Sequence, residues 1–484
     1  MLDRKSFEQS LREARERQID EVSEYLSTYR TLLDAAGDLS AFTPTAESSE
    51  ALIKNTPIPR VGRDAREIGE ELVEHVFKQS MVLQHPKFFS FVTSAVSPYS
   101  LAGAILSDIY NINAGGYSLC PGASLIEEKL IRWMGSLAGY GEGCGGLFTS
   151  GGSLSNLTGM IAARNTRLTE EEYGIGTAYL SDQAHSSVKK GLRLMGLRKD
   201  QIRIIPSDDL YKIRLDLLED AIREDMAAGR KPFLLIGSLG TTNTGSIDPF
   251  PEMGAIKEKY GMWLHIDGAY GGSVLLSDIY RNLARGIELS DSLSWDQHKW
   301  AMQSYSCSCL IAKDKKNLLN TYAEHPEYLA DVIESEHNDG WDLGIEMSRP
   351  TRAIKFWYTV QAMGTDLLAD VIDYAFFNTN VAKRALDALP GWEITSPPMC
   401  GAITFRYAPE GVDPARYDEL NTDISRRINE SGEAYIVTTM LKGRRVLRLC
   451  IINGNSTDQD VREVIRLLDI FAHEAEKELS TGKK

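Results

Sequence analysis

The sequence predicts an α/β fold, with a mainly parallel seven-stranded sheet between helix layers, an N-terminal helical arm and a small C-terminal α+β domain. Three observations predict it. Short apolar runs alternate with helical stretches from about residue 100. Several runs, FLLIG at 233–237 most plainly, are apolar without alternation and so need cover on both faces. After about residue 375 the pattern changes to paired runs joined by tight turns.

Residues 6–35 carry Leu11, Ile19, Val22, Leu26, Leu32 and Leu33 at roughly helical spacing on a charged background. This is a long amphipathic helix or a broken pair, lying either on its own domain or against a partner subunit. Strands follow at 146–149, 177–181, 202–205, 233–238, 263–267, 292–295 and 309–312, with helices such as 153–164 and 215–227 between them. The stretch 393–407 and the pair 434–440 and 446–452, turned at Lys442-Gly443, predict an antiparallel sheet. The last helix starts near Thr457, with Asp460 three residues on in a capping box, and runs through Val464, Leu467, Leu468 and Phe471. The expected division is an N-terminal helical segment at 1–88, a large domain at 89–375 and a small domain at 376–484.

With 484 residues, 43% of them apolar, the chain can bury a sizeable core. Its net charge of −15 is spread along the sequence and no basic run is present, which excludes nucleic acid as a partner. Six cysteines without CxxC spacing point away from a disulfide framework or structural zinc and towards a reducing, cytoplasmic setting. The charged N-terminus and the lack of any apolar run of ~18 residues predict a soluble protein without a membrane span.

Four features carry chemistry. TSGGSLSN, 149–156, follows a strand and opens a helix; it is either a phosphate cradle or a plain turn in which Ser153 caps the helix. LGTTNTG, 239–245, offers hydroxyls at a strand's carboxyl end, where open α/β sheets bind ligands. In HIDGAYGG, 265–272, Asp267 sits at a buried strand tip, where it either meets a cation or caps the next turn. In DQHKW, 296–300, Lys299 lies between His298 and Trp300, and desolvation there would suit an amine nucleophile. Together they match the demands of pyridoxal 5′-phosphate: a phosphate, a ring nitrogen and an aldehyde. A competing class is a metal site, since His265, Asp267, Asp296 and His298 supply paired ligands on strand faces.

HPKFFSF (85–91), TSGGSLSN, SDQAHSSVKKG (181–191), LGTTNTGSIDP, HIDGAYGG and DQHKW occur in an order that resembles the group II pyridoxal-phosphate decarboxylases, and most of all bacterial tryptophan decarboxylases. The resemblance implies the type I fold of that cofactor class and a carboxy-lyase acting on an amino acid. It implies that His185 stacks on the cofactor ring, that Gly152, Ser153 and His298 lie at the phosphate, and that Thr242 contacts the cofactor. It further implies that Asp267 meets the pyridine nitrogen, that Lys299 holds the cofactor covalently, and that Tyr328 returns a proton to Cα after carbon dioxide leaves. A homodimer clasped by the N-terminal helices, with active sites between subunits, is also implied. Members that make aldehydes, or aminotransferases on the same cofactor, are the neighbouring activities, and a tyrosine at 328 favours the amine.

For the substrate, Phe89 and Phe91, with Trp341 and Phe356, suggest an aromatic side chain. By resemblance, Gly115 or Gly116 replaces a bulky ring and leaves room for indole, unless these glycines simply make a turn. Ser348 falls where related plant enzymes carry serine for phenolic substrates. The ranking is tryptophan to tryptamine first, then phenylalanine or tyrosine.

Overall fold

A computed structural model describes residues 36–324 and 339–481. The 6–35 segment and Tyr328 lie outside the described residues. The large sheet contains β1 (Gly145–Thr149), β2 (Gly176–Ser181), β3 (Ile202–Ile205), β4 (Lys231–Ser238), β5 (Trp263–Asp267), β6 (Ser292–Trp295) and β7 (Ser308–Ala312), in the order β1-β7-β6-β5-β4-β2-β3. From β6 through β3 every pairing is parallel. Only β7 is reversed, running antiparallel to both β1 and β6.

The apolar runs become strands because both faces of the sheet are covered. Leu235, Leu264 and Ile266 enter one buried cluster, whereas Leu234, Ile236 and Trp263 enter another on the opposite face. All six are at most 1% exposed. Each such side chain contributes about 1.5–3 kcal/mol by leaving water, and no polar face remains to give alternation. The helix Gly152–Arg167 packs behind β1, β5 and β6. Its Gly159 allows that approach, since a Cβ there would meet the His265 ring at 2.9 Å.

The small domain is an antiparallel sheet of β8 (Trp392–Met399), β9 (Ala402–Tyr407), β10 (Val437–Leu441) and β11 (Arg444–Cys450), covered by the helices Tyr417–Ser431 and Asp458–Thr481. Lys442 and Gly443 both have positive φ, 50° and 77°, as a tight two-residue hairpin requires. The capping box forms at Thr457: its N–H donates to Asp460 Oδ2 at 2.8 Å and the Asp460 N–H donates to Thr457 Oγ1 at 3.2 Å.

The hairpin is shorter at its first strand than the sequence suggested. Residues 434–436 pair instead with the HPKFF segment: the Phe89 N–H donates to the Tyr435 carbonyl at 3.0 Å, and the Cys450 N–H donates to the Phe89 carbonyl at 2.9 Å. Phe89 is thereby drawn into the core of the small domain and is fully buried.

Candidate active site

The parallel strands β1, β2, β4, β5 and β6 all end at one edge of the sheet. The residues just beyond them enclose a cavity of about 330 Å3, within the range of small-molecule sites. It is lined by Gly152 and Ser153 after β1, His185 after β2, Thr242 after β4, Asp267 at the tip of β5, and His298 and Lys299 after β6. These motifs are far apart in sequence, and strand order alone gathers them.

Lys299 projects into the cavity with its side chain 24% exposed, and its Nζ lies 3.0 Å from Asp296 Oδ2. Burial alone would pull this ammonium down. The Asp296 and Asp267 carboxylates outweigh that and hold it above the ordinary lysine value. Asp267 is also raised: burial lifts its carboxyl above the ordinary aspartate value, and Lys299 only partly offsets the shift. Its Oδ1 accepts the Ala269 N–H at 3.2 Å, so this acid both caps the turn and faces the cavity.

The helix that begins at Gly152 has no side-chain cap. Ser153 is not its N-cap, and the start of the helix is left to an outside anion. Gly152 itself is required, because a Cβ there would meet Ala269 Cβ and Asp296 Oδ2 at 2.9 Å each. His298 accepts the Cys307 N–H on Nδ1 at 3.2 Å, which puts its ring proton on Nε2. Burial holds its pKa below the usual histidine value. His185 is exposed to the cavity, with Nδ1 2.7 Å from Ser187 Oγ.

A hydrogen-bond chain aims one more group at the site. Trp263 Nε1–H donates to Ser292 Oγ at 2.9 Å, leaving that hydroxyl to donate to His265 Nδ1 at 2.7 Å. His265 Nε2–H then donates to Asn156 Oδ1 at 2.9 Å. The amide orientation of Asn156 is thus fixed, and its buried Nδ2 has no partner among the described residues. The cavity therefore holds an uncapped helix start, a buried carboxylate and an amine. These suit a ligand bearing a phosphate, a protonated ring nitrogen and an aldehyde.

The five residues expected around the substrate do not line this cavity. Phe89 is in the small-domain core, as described above. Phe91 is 46% exposed with φ 54°, and its carbonyl accepts from Arg448 Nη1 at 2.7 Å. Gly115 and Gly116 pack under Trp341, whose indole would lie 2.7 and 2.5 Å from a Cβ at each, so the room they leave is filled by this chain's own tryptophan. Ser348 is exposed beside Arg349, which is itself buried and paired with Glu127 Oε1 at 2.5 Å. Phe356 is fully buried against Phe148 and Trp133. The metal reading loses its geometry too. Both His265 nitrogens are taken by Ser292 and Asn156, and no cluster of three or more possible ligands occurs among the described residues.

Asp296, Tyr270 and Tyr305 also line the cavity, although the sequence motifs assign them no cofactor contact. Asp296 was legible only as the acid three residues before Lys299. Tyr305 sits beyond the DQHKW segment, its ring centroid 4.8 Å from that of His298, and no local pattern marks it.

Residues 48–408 match the model of the pyridoxal-dependent decarboxylase conserved domain. An aromatic-L-amino-acid decarboxylase of Bacillus atrophaeus is 33% identical over 421 residues, 86% of this chain and 87% of that protein. An L-2,4-diaminobutyrate decarboxylase of Acinetobacter baumannii is 28% identical, over 85% of each chain. The crystal structure of Catharanthus roseus tryptophan decarboxylase in complex with L-tryptophan superposes with a TM-score of 0.85 at 25% identity, covering 98% of this chain and 99% of that one. A seven-stranded sheet whose edge gathers a lysine, two acids and an open helix start, matched along this length, has one explanation: the chain belongs to the pyridoxal-dependent decarboxylases and uses pyridoxal 5′-phosphate.

Proposed function

We propose that the enzyme removes the α-carboxylate from an aromatic L-amino acid, tryptophan to tryptamine first, phenylalanine or tyrosine next, releasing carbon dioxide. The observation that carries this reading is the placement of Lys299 between two buried acids in a cavity with an aromatic rim. When bound, the cofactor supplies a ring that accepts the electron pair left on Cα as the carboxylate departs. Lys299 holds it covalently. Asp267 keeps a proton on the ring nitrogen, His185 lies on the ring face, and the 151–153 backbone with Ser153, His298 and Thr242 orients the phosphate end. Tyr328 delivers the proton to Cα.

The aromatic preference is supported by two tyrosines that line the cavity, Tyr305, 60% exposed, and the buried Tyr270, rather than by Phe89. Asp267 and Asp296 make the cavity unfavourable to an acidic side chain, and among its described lining residues there is no arginine. The Bacillus relative and the tryptophan-bound structure favour the same class.

The enzyme works in this reading as a cytoplasmic homodimer. Ile58, Val61, Ile109 and Tyr110 are 96%, 81%, 71% and 73% exposed, apolar surface that a second copy would cover. All six cysteines are free and buried, which suits a reducing compartment. No described helix is long and apolar enough to cross a membrane.

The test is reduction with borohydride followed by peptide mapping. The purified yellow protein is expected to bleach and carry the cofactor on Lys299. Attachment at another residue would overturn the assignment.

A further inference from the structure

We propose that Asn243 is a positioning residue: it ties the Thr242 and His185 sides of the cavity to each other and to the small domain, so that Thr439, outside the cavity, governs how tightly the cofactor is held. This rests on the reading of that cavity as the cofactor's site.

The LGTTNTG loop braces itself. The hydroxyls of Thr241, Thr244 and Ser246 form a row at 2.8 Å per step, Ser246 donates onward to the Leu210 carbonyl at 2.8 Å, and the Gly245 N–H donates to the Thr241 carbonyl at 2.8 Å. Such a loop moves as one piece, and Asn243 is the residue by which the rest of the protein grips it.

Three contacts make that grip. The Asn243 carbonyl accepts Arg448 Nε–H at 3.2 Å, its Oδ1 accepts the Thr439 hydroxyl at 2.9 Å, and its Nδ2–H donates to Gln183 Oε1 at 3.4 Å. Arg448 is 2% exposed and its Nη1 is committed to the Phe91 carbonyl, so a buried cation on β11 holds the loop's main chain. A hydroxyl on β10 sets the side-chain amide. Gly245, with φ 71°, completes the docking, because a Cβ there would strike the Met399 carbonyl at the end of β8.

The grip reaches both walls of the cavity. Thr242 precedes Asn243 in the chain and lines the cavity after β4, whereas Gln183 lies two residues before His185, which lines it after β2. β2 and β4 are paired neighbours, and the Asn243 amide bridges the segments that leave them. Without the Thr439 hydroxyl the amide is free to turn away from Gln183. The two walls then sample arrangements in which Thr242 and His185 do not face one ligand, and apparent affinity falls with the fraction of correctly formed cavities. The free energy of one hydrogen bond corresponds to about threefold to tenfold in that fraction.

A purely structural role for Thr439 predicts a different order of variants. Valine suits a strand at least as well as threonine, and serine suits it less. Structure alone therefore favours Thr439→Val over Thr439→Ser, whereas positioning of Asn243 favours serine, which keeps the hydroxyl.

The test is titration of the full-length apoenzyme with pyridoxal phosphate, followed by visible absorbance, with urea unfolding of the same apoenzymes alongside. Thr439→Val should raise the Kd about threefold to tenfold without loss of apoenzyme stability, and Thr439→Ser should keep the wild-type Kd. In an Asn243→Ala background, itself weakened at least as much, Thr439→Val should have no further effect. An unchanged Kd in Thr439→Val, equal weakening in Thr439→Ser, or additive effects of the two sites overturns the proposal. The two Thr439 variants decide the matter even if Asn243→Ala does not fold. Borohydride mapping separates the failures: attachment away from Lys299 defeats the reading of the cavity, whereas attachment at Lys299 with an unchanged Kd in Thr439→Val defeats only the role of Asn243.

Discussion

His265 gives the protein an acid sensitivity that can be computed from its setting. The ring is fully buried in β5, both nitrogens are hydrogen-bonded, and desolvation lowers its pKa to about 3. In the unfolded chain the same group titrates near the ordinary value of about 6.5. Between these values the unfolded state binds a proton that the native state refuses. The stability His265 contributes is therefore present above about 6.5 and is lost as pH falls, by about 1.4 kcal/mol per unit. From pH 7 to pH 5 the loss is about 2 kcal/mol. Urea unfolding of the wild type and of His265→Gln, followed by tryptophan fluorescence across that range, isolates this contribution. His85 and His298, whose pKa values are also lowered by burial, act equally in both chains. The wild-type advantage at neutral pH should shrink by about 2 kcal/mol at pH 5; a difference that stays flat with pH would refute the assignment of a neutral, buried His265.

Other outcomes follow from the same structure. Lys299→Ala should lose the yellow colour and all amine production while retaining the wild-type circular dichroism spectrum. Tyr328→Phe should divert product from amine towards aldehyde, and unchanged amine formation would remove the role given to that residue. Gly116→Ala places a methyl group against Trp341 and should destabilise the protein by about 1–3 kcal/mol, with altered tryptophan emission; a shift in substrate size preference at unchanged stability would contradict the packing seen here. Glu127→Ala leaves Arg349 buried without its carboxylate and should cost about 3–5 kcal/mol in thermal or urea unfolding.

The strands were legible because a buried parallel sheet writes unbroken apolar runs. β3, β5 and β6 have the bounds the sequence suggested, and β1, β2, β4 and β7 differ by one or two residues. The seven residues expected at the cofactor come together in one cavity because each lies at or just beyond the end of such a strand, and the fold gathers strand ends at one edge. The substrate wall was not. Phe89 and Phe356 are aromatic, but aromatic character does not distinguish a pocket lining from a core, and both are core. Gly115 and Gly116 were expected to leave room for indole or to make a turn; what packs against them is Trp341, from a segment more than two hundred residues away. Asp296 was visible as an acid but its partner was not, since the contact to Lys299 depends on the turn after β6.

The central claim is the reaction on an aromatic amino acid. Incubating the holoenzyme with tryptophan, phenylalanine, tyrosine, glutamate and 2,4-diaminobutyrate, with amine and carbon dioxide both quantified, tests it most directly. Equimolar amine and carbon dioxide from an aromatic substrate, tryptophan foremost, is the predicted result; turnover confined to glutamate or diaminobutyrate would contradict it.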